Sequence, residues 1–359
     1  MTTVTRIVLV AATAAALMTT SSAAGAREVS SHDTAAYSWK ATPTGTTERF
    51  RGLAPVSQDV AWVSGTNGTV LRTTDGGATW TDVRPHGLDT EALQFRDIEA
   101  FDAQRAVILS IGEGDDSRIL VTDDGGATWA ESFRNMEPTA FYDCIAFSSP
   151  QRGLAMSDPV DGRFRLAETS DGGHSWSLVD PSGMPDALPG EFGFAASGTC
   201  LSTGVGGRTY LASGGVDPGR LFTSTDHGRT WTVADSPVAG GPSAGIFSVS
   251  FRDARRGVMV GGDFATPTGS VDNAAWTDDG GVTWSRSTTN PSGYRSGSAW
   301  VSGTARTVLA VGPSGSDVSA DGGRSWSTFD GGSFDSVECT DDGACWASGE
   351  QGRVALLTR

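Results

Sequence analysis

The 359-residue chain has almost no lysine: Lys40 is the only one. A phosphate-loop lysine elsewhere is therefore excluded, as is a Schiff-base lysine outside the N-terminal part of the chain. Histidine is scarce too. Two of the four, His174 and His227, fall at variable positions of a repeated turn, so neither reads as a metal ligand. No Cys/His spacing suits zinc, so neither a metal nor a cofactor is expected. No dinucleotide fingerprint follows a strand, and no nucleophile elbow is expected. Amphipathic stretches with a 3.6-residue period are missing, which excludes leucine-rich and helical solenoids. Long apolar runs are missing as well. The one apolar stretch, residues 7–18, is too short to span a bilayer. It follows Arg6 and leads into small residues up to Ala26, so residues 1–26 read as a secretory signal peptide cleaved after Ala26. Residues 27–36 read as a flexible segment. The mature chain is expected to be secreted and monomeric, without membrane insertion. The full chain's formal net charge of −16 disfavours nucleic acid and anionic membrane as partners.

What the chain does contain is one eight-residue phrase, six times over. It reads TTDGGATW at 73–80, TDDGGATW at 122–129, TSDGGHSW at 169–176, STDHGRTW at 224–231, TDDGGVTW at 277–284 and SADGGRSW at 319–326. Each copy has a hydroxyl residue, an Asp two positions on, one or two Gly, then Thr or Ser, then Trp. The aspartates are Asp75, Asp124, Asp171, Asp226, Asp279 and Asp321. The tryptophans are Trp80, Trp129, Trp176, Trp231, Trp284 and Trp326. An Asp can accept hydrogen bonds from amides just ahead of it, and Gly takes the positive φ that a tight corner needs. The Trp opens the next strand and carries a large ring into packed layers. Metal binding by these aspartates is not expected, since each is explained by its own turn.

The phrase resembles the Asp box, or bacterial neuraminidase repeat. Steps of 49, 47, 55, 53 and 42 residues between the aspartates are propeller spacing. Upstream of each box an aromatic opens a strand: Phe50, Phe95, Phe141, Phe192, Phe247 and Tyr294. Phe334 begins a seventh unit that has no box. The residues around Trp39 look like the Trp-led strand that follows every box, so both chain ends are expected to share the last blade. An all-β, seven-bladed β-propeller over residues 37–359 follows. Cys339 and Cys345 flank a turn and are expected to form a disulfide. Cys144 and Cys200 fall on neighbouring blades, and their pairing is left open.

In a four-stranded meander the start of the innermost strand lies on the face opposite the boxes. The residues after each strand-opening aromatic should therefore ring one mouth of the central channel. A ligand site is expected there, made of Arg51, Arg96, Asp97, Tyr142, Asp143, Asp158, Arg295 and Asp335. The whole mature chain is similar to the photosystem II stability/assembly-factor family, a resemblance that implies protein binding without chemistry. A non-catalytic binding or assembly module for a protein, peptide or glycan is the expected function. The alternative is a sialidase-like or other glycoside hydrolase. In that reading Arg51, Arg96 and Arg295 clamp a carboxylate, Tyr294 or Tyr142 serves as nucleophile, and Asp97 with Asp143 forms a carboxylate pair. A redox role would rest on a family label alone.

Overall fold

The repeated phrase folds into the same corner six times. In the first copy the Thr73 hydroxyl donates to Asp75 Oδ1 at 2.8 Å and accepts the Gly77 amide at 3.0 Å. The Thr79 amide reaches Asp75 Oδ1 at 2.8 Å, and the Thr79 hydroxyl reaches Oδ2 at 2.6 Å. The second copy repeats this set around Asp124 with Thr122 and Thr128. The carboxylate thus holds the turn from inside, and its neighbours need φ values that only Gly takes easily. Gly126 has φ 83°, and a Cβ there would lie 2.6 Å from Val83 of the preceding blade. His227 takes the first glycine position of the fourth copy at φ 61°. Trp231 and Trp326 are buried, and the other four box tryptophans are half-buried. Trp129 donates its indole N–H to the Val83 carbonyl at 2.7 Å and meets the Trp62 ring edge-on. His174 bridges two corners, contacting the Asp171 carbonyl and the Asp123 carboxylate, each at 2.8 Å.

The computed structural model describes residues 37–359. The expected signal peptide and the 27–36 segment lie outside the described residues. Seven four-stranded antiparallel sheets make up the described chain, with three short 3-10 turns as its only helical elements. From inner to outer strand, blade 1 runs from Phe50–Pro55 to Thr81–Asp82, blade 2 from Gln94–Ala100 to Ala130–Arg134, and blade 3 from Tyr142–Ser149 to Ser177–Leu178. Blade 4 runs from Leu201–Thr203 to Trp231–Asp235, blade 5 from Ala244–Phe251 to Ser285–Arg286, and blade 6 from Gly297–Trp300 to Ser327–Asp330. Blade 7 takes Ser336–Cys339, Cys345–Ser348 and Val354–Thr358 from the C-terminal end. Its outer strand is Ser38–Ala41 from the N-terminal end. Seven blades and mixed-terminus closure are both as expected.

The core lies between neighbouring sheets. Ala54, Trp62 and Val70 of blade 1 pack on Phe95, Ile98 and Ile108 of blade 2, and comparable clusters follow round the ring. Closure uses the same device. Ser38 pairs with Thr358, Trp39 pairs with Leu357, and the Trp39 indole N–H donates to Ser316 Oγ of blade 6 at 3.0 Å. Cys339 and Cys345 face each other in the first hairpin of blade 7 and form a disulfide. Cys144 and Cys200 form the second, joining the inner strand of blade 3 to the start of that of blade 4.

Candidate functional site

The mouth opposite the repeat corners is set by β-bulges. In blade 1, Phe50 pairs with Gly65 and Gly52 with Ser64, leaving Arg51 as the extra residue. In blade 2, Phe95 pairs with Ser110 and Asp97 with Leu109, leaving Arg96. The same irregularity singles out Asp143 in blade 3 and Phe247 in blade 5. A bulge inserts one residue against none and re-aims its side chain, so one position on several blades is turned away from the inter-blade core. The residue before each bulge stays in that core: Phe50, Phe95, Tyr142 and Ile246 are all fully buried.

Blade 4 departs from this pattern. Phe192 does not open its inner strand, which is only Leu201–Thr203. Residues 193–200 instead reach across the propeller axis. The Gly193 amide donates to Asp158 of blade 3 at 2.7 Å, and the Ala195 carbonyl accepts Arg96 Nη1 of blade 2 at 3.2 Å. Phe194 stacks on Phe247 of blade 5 at 3.7 Å, and the Ser197 hydroxyl donates to the Ser296 carbonyl of blade 6 at 2.7 Å. A segment that touches blades 2, 3, 5 and 6 at once must cross the channel. It forms the floor of the mouth, and Cys200 fastens its end.

Above this floor lies a cavity of about 530 Å³ with two unlike walls. Arg49, Arg51 and Arg96 stand on one side with Asp335 and Glu350. Phe194, Phe247, Phe264 and Tyr294 form the other. Asp335 binds Arg49 through two hydrogen bonds of 2.7 and 2.6 Å. Arg51 stands 3.8 Å from the same carboxylate, and its buried Nε has no hydrogen-bond partner. Arg96 donates to the Gln94 side chain and the Ala195 carbonyl, and has no carboxylate partner among the described residues. Burial, followed by repulsion from Arg51 and Arg49, pulls the Arg96 guanidinium down to about 10. Three guanidiniums therefore face two carboxylates inside a strongly acidic protein.

The carboxylates beneath behave oppositely. Asp97 accepts the Ile98 and Ile145 amides at 2.8 and 2.6 Å, yet burial holds it well above the usual carboxylate range. Burial and the neighbouring Asp158 raise Asp143 in the same way, and burial lifts Asp158 to about 6.

Of the eight residues expected at the mouth, Arg51, Arg96 and Asp335 line the cavity. Asp97, Asp143 and Asp158 surround the crossing segment. Tyr142 and Arg295 lie elsewhere, which corrects the expectation. Tyr142 is buried between blades 2 and 3 against Phe133. Arg295 is fully buried and paired with Asp317 of blade 6 at 2.5 Å. The cause is a one-residue offset. Phe141 matches Phe50 in the sequence repeat, but Tyr142 holds that core position, and Arg295 similarly precedes the Ser296–Gly297 pair that faces Val311. The sequence reading missed Arg49 and the aromatic wall. Arg49 adjoins the landmark Phe50, so its place was within reach; Phe194 and Phe264 come from irregular segments that carry no periodic signal. Residues 241–245 do spell Gly-x-Ser-x-Gly, but Ser243 precedes a strand rather than a helix, and its hydroxyl donates to Asp263 at 2.7 Å.

A family model described as photosynthesis system II assembly factor YCF48 matches residues 31–138. Among solved structures, YCF48 bound to a D1 peptide superposes with a TM-score of 0.62 at 17% identity, covering 89% of this chain and 95% of that one. YCF48 from Cyanidioschyzon merolae gives 0.62 at 18% identity, covering 89% and 98%. The WD40 domain of Neurospora crassa Pan2 gives 0.61 at 9% identity, covering 91% and 96%. These near-equal scores mark a shared propeller fold rather than a shared role. No curated protein matches the chain. Residues 31–138 thus carry the sequence pattern of the photosystem II assembly factor YCF48 family, and the described chain has the β-propeller fold seen in YCF48.

Proposed function

We propose that this chain is an exported, non-catalytic binding or assembly module that takes a carboxylate-bearing protein or peptide partner at the mouth above residues 193–200. The observation that carries the reading is the cation excess at one cavity: Arg51 and Arg96 offer donors that no carboxylate of the chain takes up in paired fashion. Guanidiniums select carboxylates by paired, charge-assisted hydrogen bonds. The D1 peptide bound to YCF48, a propeller of the same fold, supports a peptide as the kind of partner. Two disulfides support an oxidising compartment, in keeping with the proposed signal peptide. The glycosidase alternative has less support: Arg295 and Tyr142 are withdrawn into the inter-blade core, and only Tyr294 of its two candidate nucleophiles lines the cavity.

The Arg51→Ala, Arg96→Ala double variant tests this. Removing two cations that repel each other should leave the melting curve close to that of the parent. Affinity for a glycine–serine peptide carrying one aspartate should fall about tenfold or more, as expected on losing charge-assisted hydrogen bonds. Release of sialic acid from a model glycoside by the parent, abolished in the variant, would overturn the binding reading.

A further inference from the structure

The arginines account for only half of the mouth. Opposite them, Phe194 and Phe247 stack with rings 15° apart, and Tyr294 meets Phe247 edge-on at 4.6 Å. Phe264 stands over this group at 6.3 Å from both stacked rings and keeps 51% of its surface exposed. Aromatic faces and edges favour another ring in offset or edge-on contact. The crossing segment bars a threaded chain, so a ligand must enter by one end. A cavity of about 530 Å³ suits one compact group and is too small for a run of extended residues. Charge narrows the choice further. The surrounding protein carries a net charge of −16, which repels a polyanion, while the local excess of one guanidinium favours a single negative charge.

We propose that the mouth takes a compact carboxylate carried on an aromatic body, with the ring against the Phe194–Phe247–Phe264 wall and the carboxylate at Arg51 and Arg96. Such a group arises either as a free aromatic acid or as a chain end whose last side chain supplies the ring. The proposal rests on the reading of the mouth as a carboxylate site and adds the ligand's chemistry to it. Arg51 lines the cavity with 22% of its side chain exposed and is held by Asp335 only at 3.8 Å, and Arg96 has donors left beyond the Ala195 carbonyl.

Calorimetric titration of the mature protein with hydrocinnamate, hydrocinnamide and butanoate tests ring and charge separately. Hydrocinnamate should bind about tenfold or more tightly than either of the others. Arg96→Gln should weaken the acid by a similar factor and leave the amide unchanged. Phe264→Ala, at an exposed position that spares the core, should weaken both ring compounds. Equal binding of hydrocinnamate and butanoate, or of acid and amide, overturns this proposal. If butanoate and the aspartate peptide still bind in an Arg51- and Arg96-dependent way, the mouth remains a carboxylate site and only the aromatic part fails. If no carboxylate responds to those arginines, both readings fail. A glycine–serine peptide ending in phenylalanine, with a free or amidated terminus, separates the sources. Tighter binding than hydrocinnamate, lost on amidation, identifies a chain end, whereas weaker binding identifies a free acid.

Discussion

At the scale of single residues, two groups of carboxylates set opposite pH responses. Hydrogen bonds within the corners hold Asp226 at about 2, led by the Thr230 hydroxyl, and Asp171 at about 2, led by Ser175. Asp279 also lies at about 2, with hydrogen bonds from Thr283 outweighing the opposing effect of burial. Their folded values lie below the ordinary unfolded value of about 3.9, so the stability they lend is present above that pH and is lost as pH falls toward 2. Burial pushes Asp158 up to about 6 and Glu99, on the inner strand of blade 2, up to about 7. Raised values work the other way: stability is greatest below the unfolded value and is lost as pH rises through 6 to 7. The melting temperature should therefore peak near about pH 4 and fall between about pH 4 and 7. Scanning calorimetry across pH 2–8 checks this, and Glu99→Gln should flatten the upper limb only. A maximum at pH 8 would contradict the assignment.

At the scale of elements, a bulge turns a strand from a purely structural unit into one that presents a side chain. Arg51 and Arg96 reach the cavity because their strands each carry one residue too many, while Tyr142, one place from a bulge, is driven into the core. The closing strand follows a simpler logic. Ser38–Ala41 covers the edge of Val354–Thr358, and Trp39 packs 5.3 Å from Phe334. Deleting residues 37–42 should leave that edge unpaired, lower the melting temperature by several degrees and promote self-association. Calorimetry with light scattering reads both effects, and an unchanged melt would remove closure as a source of stability. The disulfides differ by the length of chain they close, with sequence separations of 56 for Cys144–Cys200 and 6 for Cys339–Cys345. On loop entropy, losing the first should cost about 4 kcal/mol and the second about 2. Paired serine replacements, melted without reductant, should keep that order. Loss of the first should also weaken binding at the mouth, because Cys200 anchors the floor.

At the scale of the whole molecule, ring closure, the mouth and the crossing segment differ in how far the sequence revealed them. Six corners and their spacing were legible because each corner is local: a hydroxyl, an Asp, glycines of positive φ and a Trp within eight residues dictate one geometry wherever they occur. Repetition then fixes the blade number, and the Trp-led N-terminal strand identifies the closing partner. Arg51, Arg96 and Asp335 were also legible, since they stand immediately after aromatics of unambiguous register. The offset at Tyr142 and Arg295 was not, because a strand has period two and a shift of one residue exchanges core for channel. Which aromatic takes the core position is settled only by packing against the next blade. The floor was least legible of all. Residues 193–200 have no periodicity, and their course depends on partners drawn from four blades. The sequence by itself therefore determined the repeating unit, the number of blades and the cation-bearing strands. Only the tertiary structure decided that the channel is closed and that an aromatic wall faces the arginines, because those contacts join residues that are distant in the chain and come together only when the ring is complete.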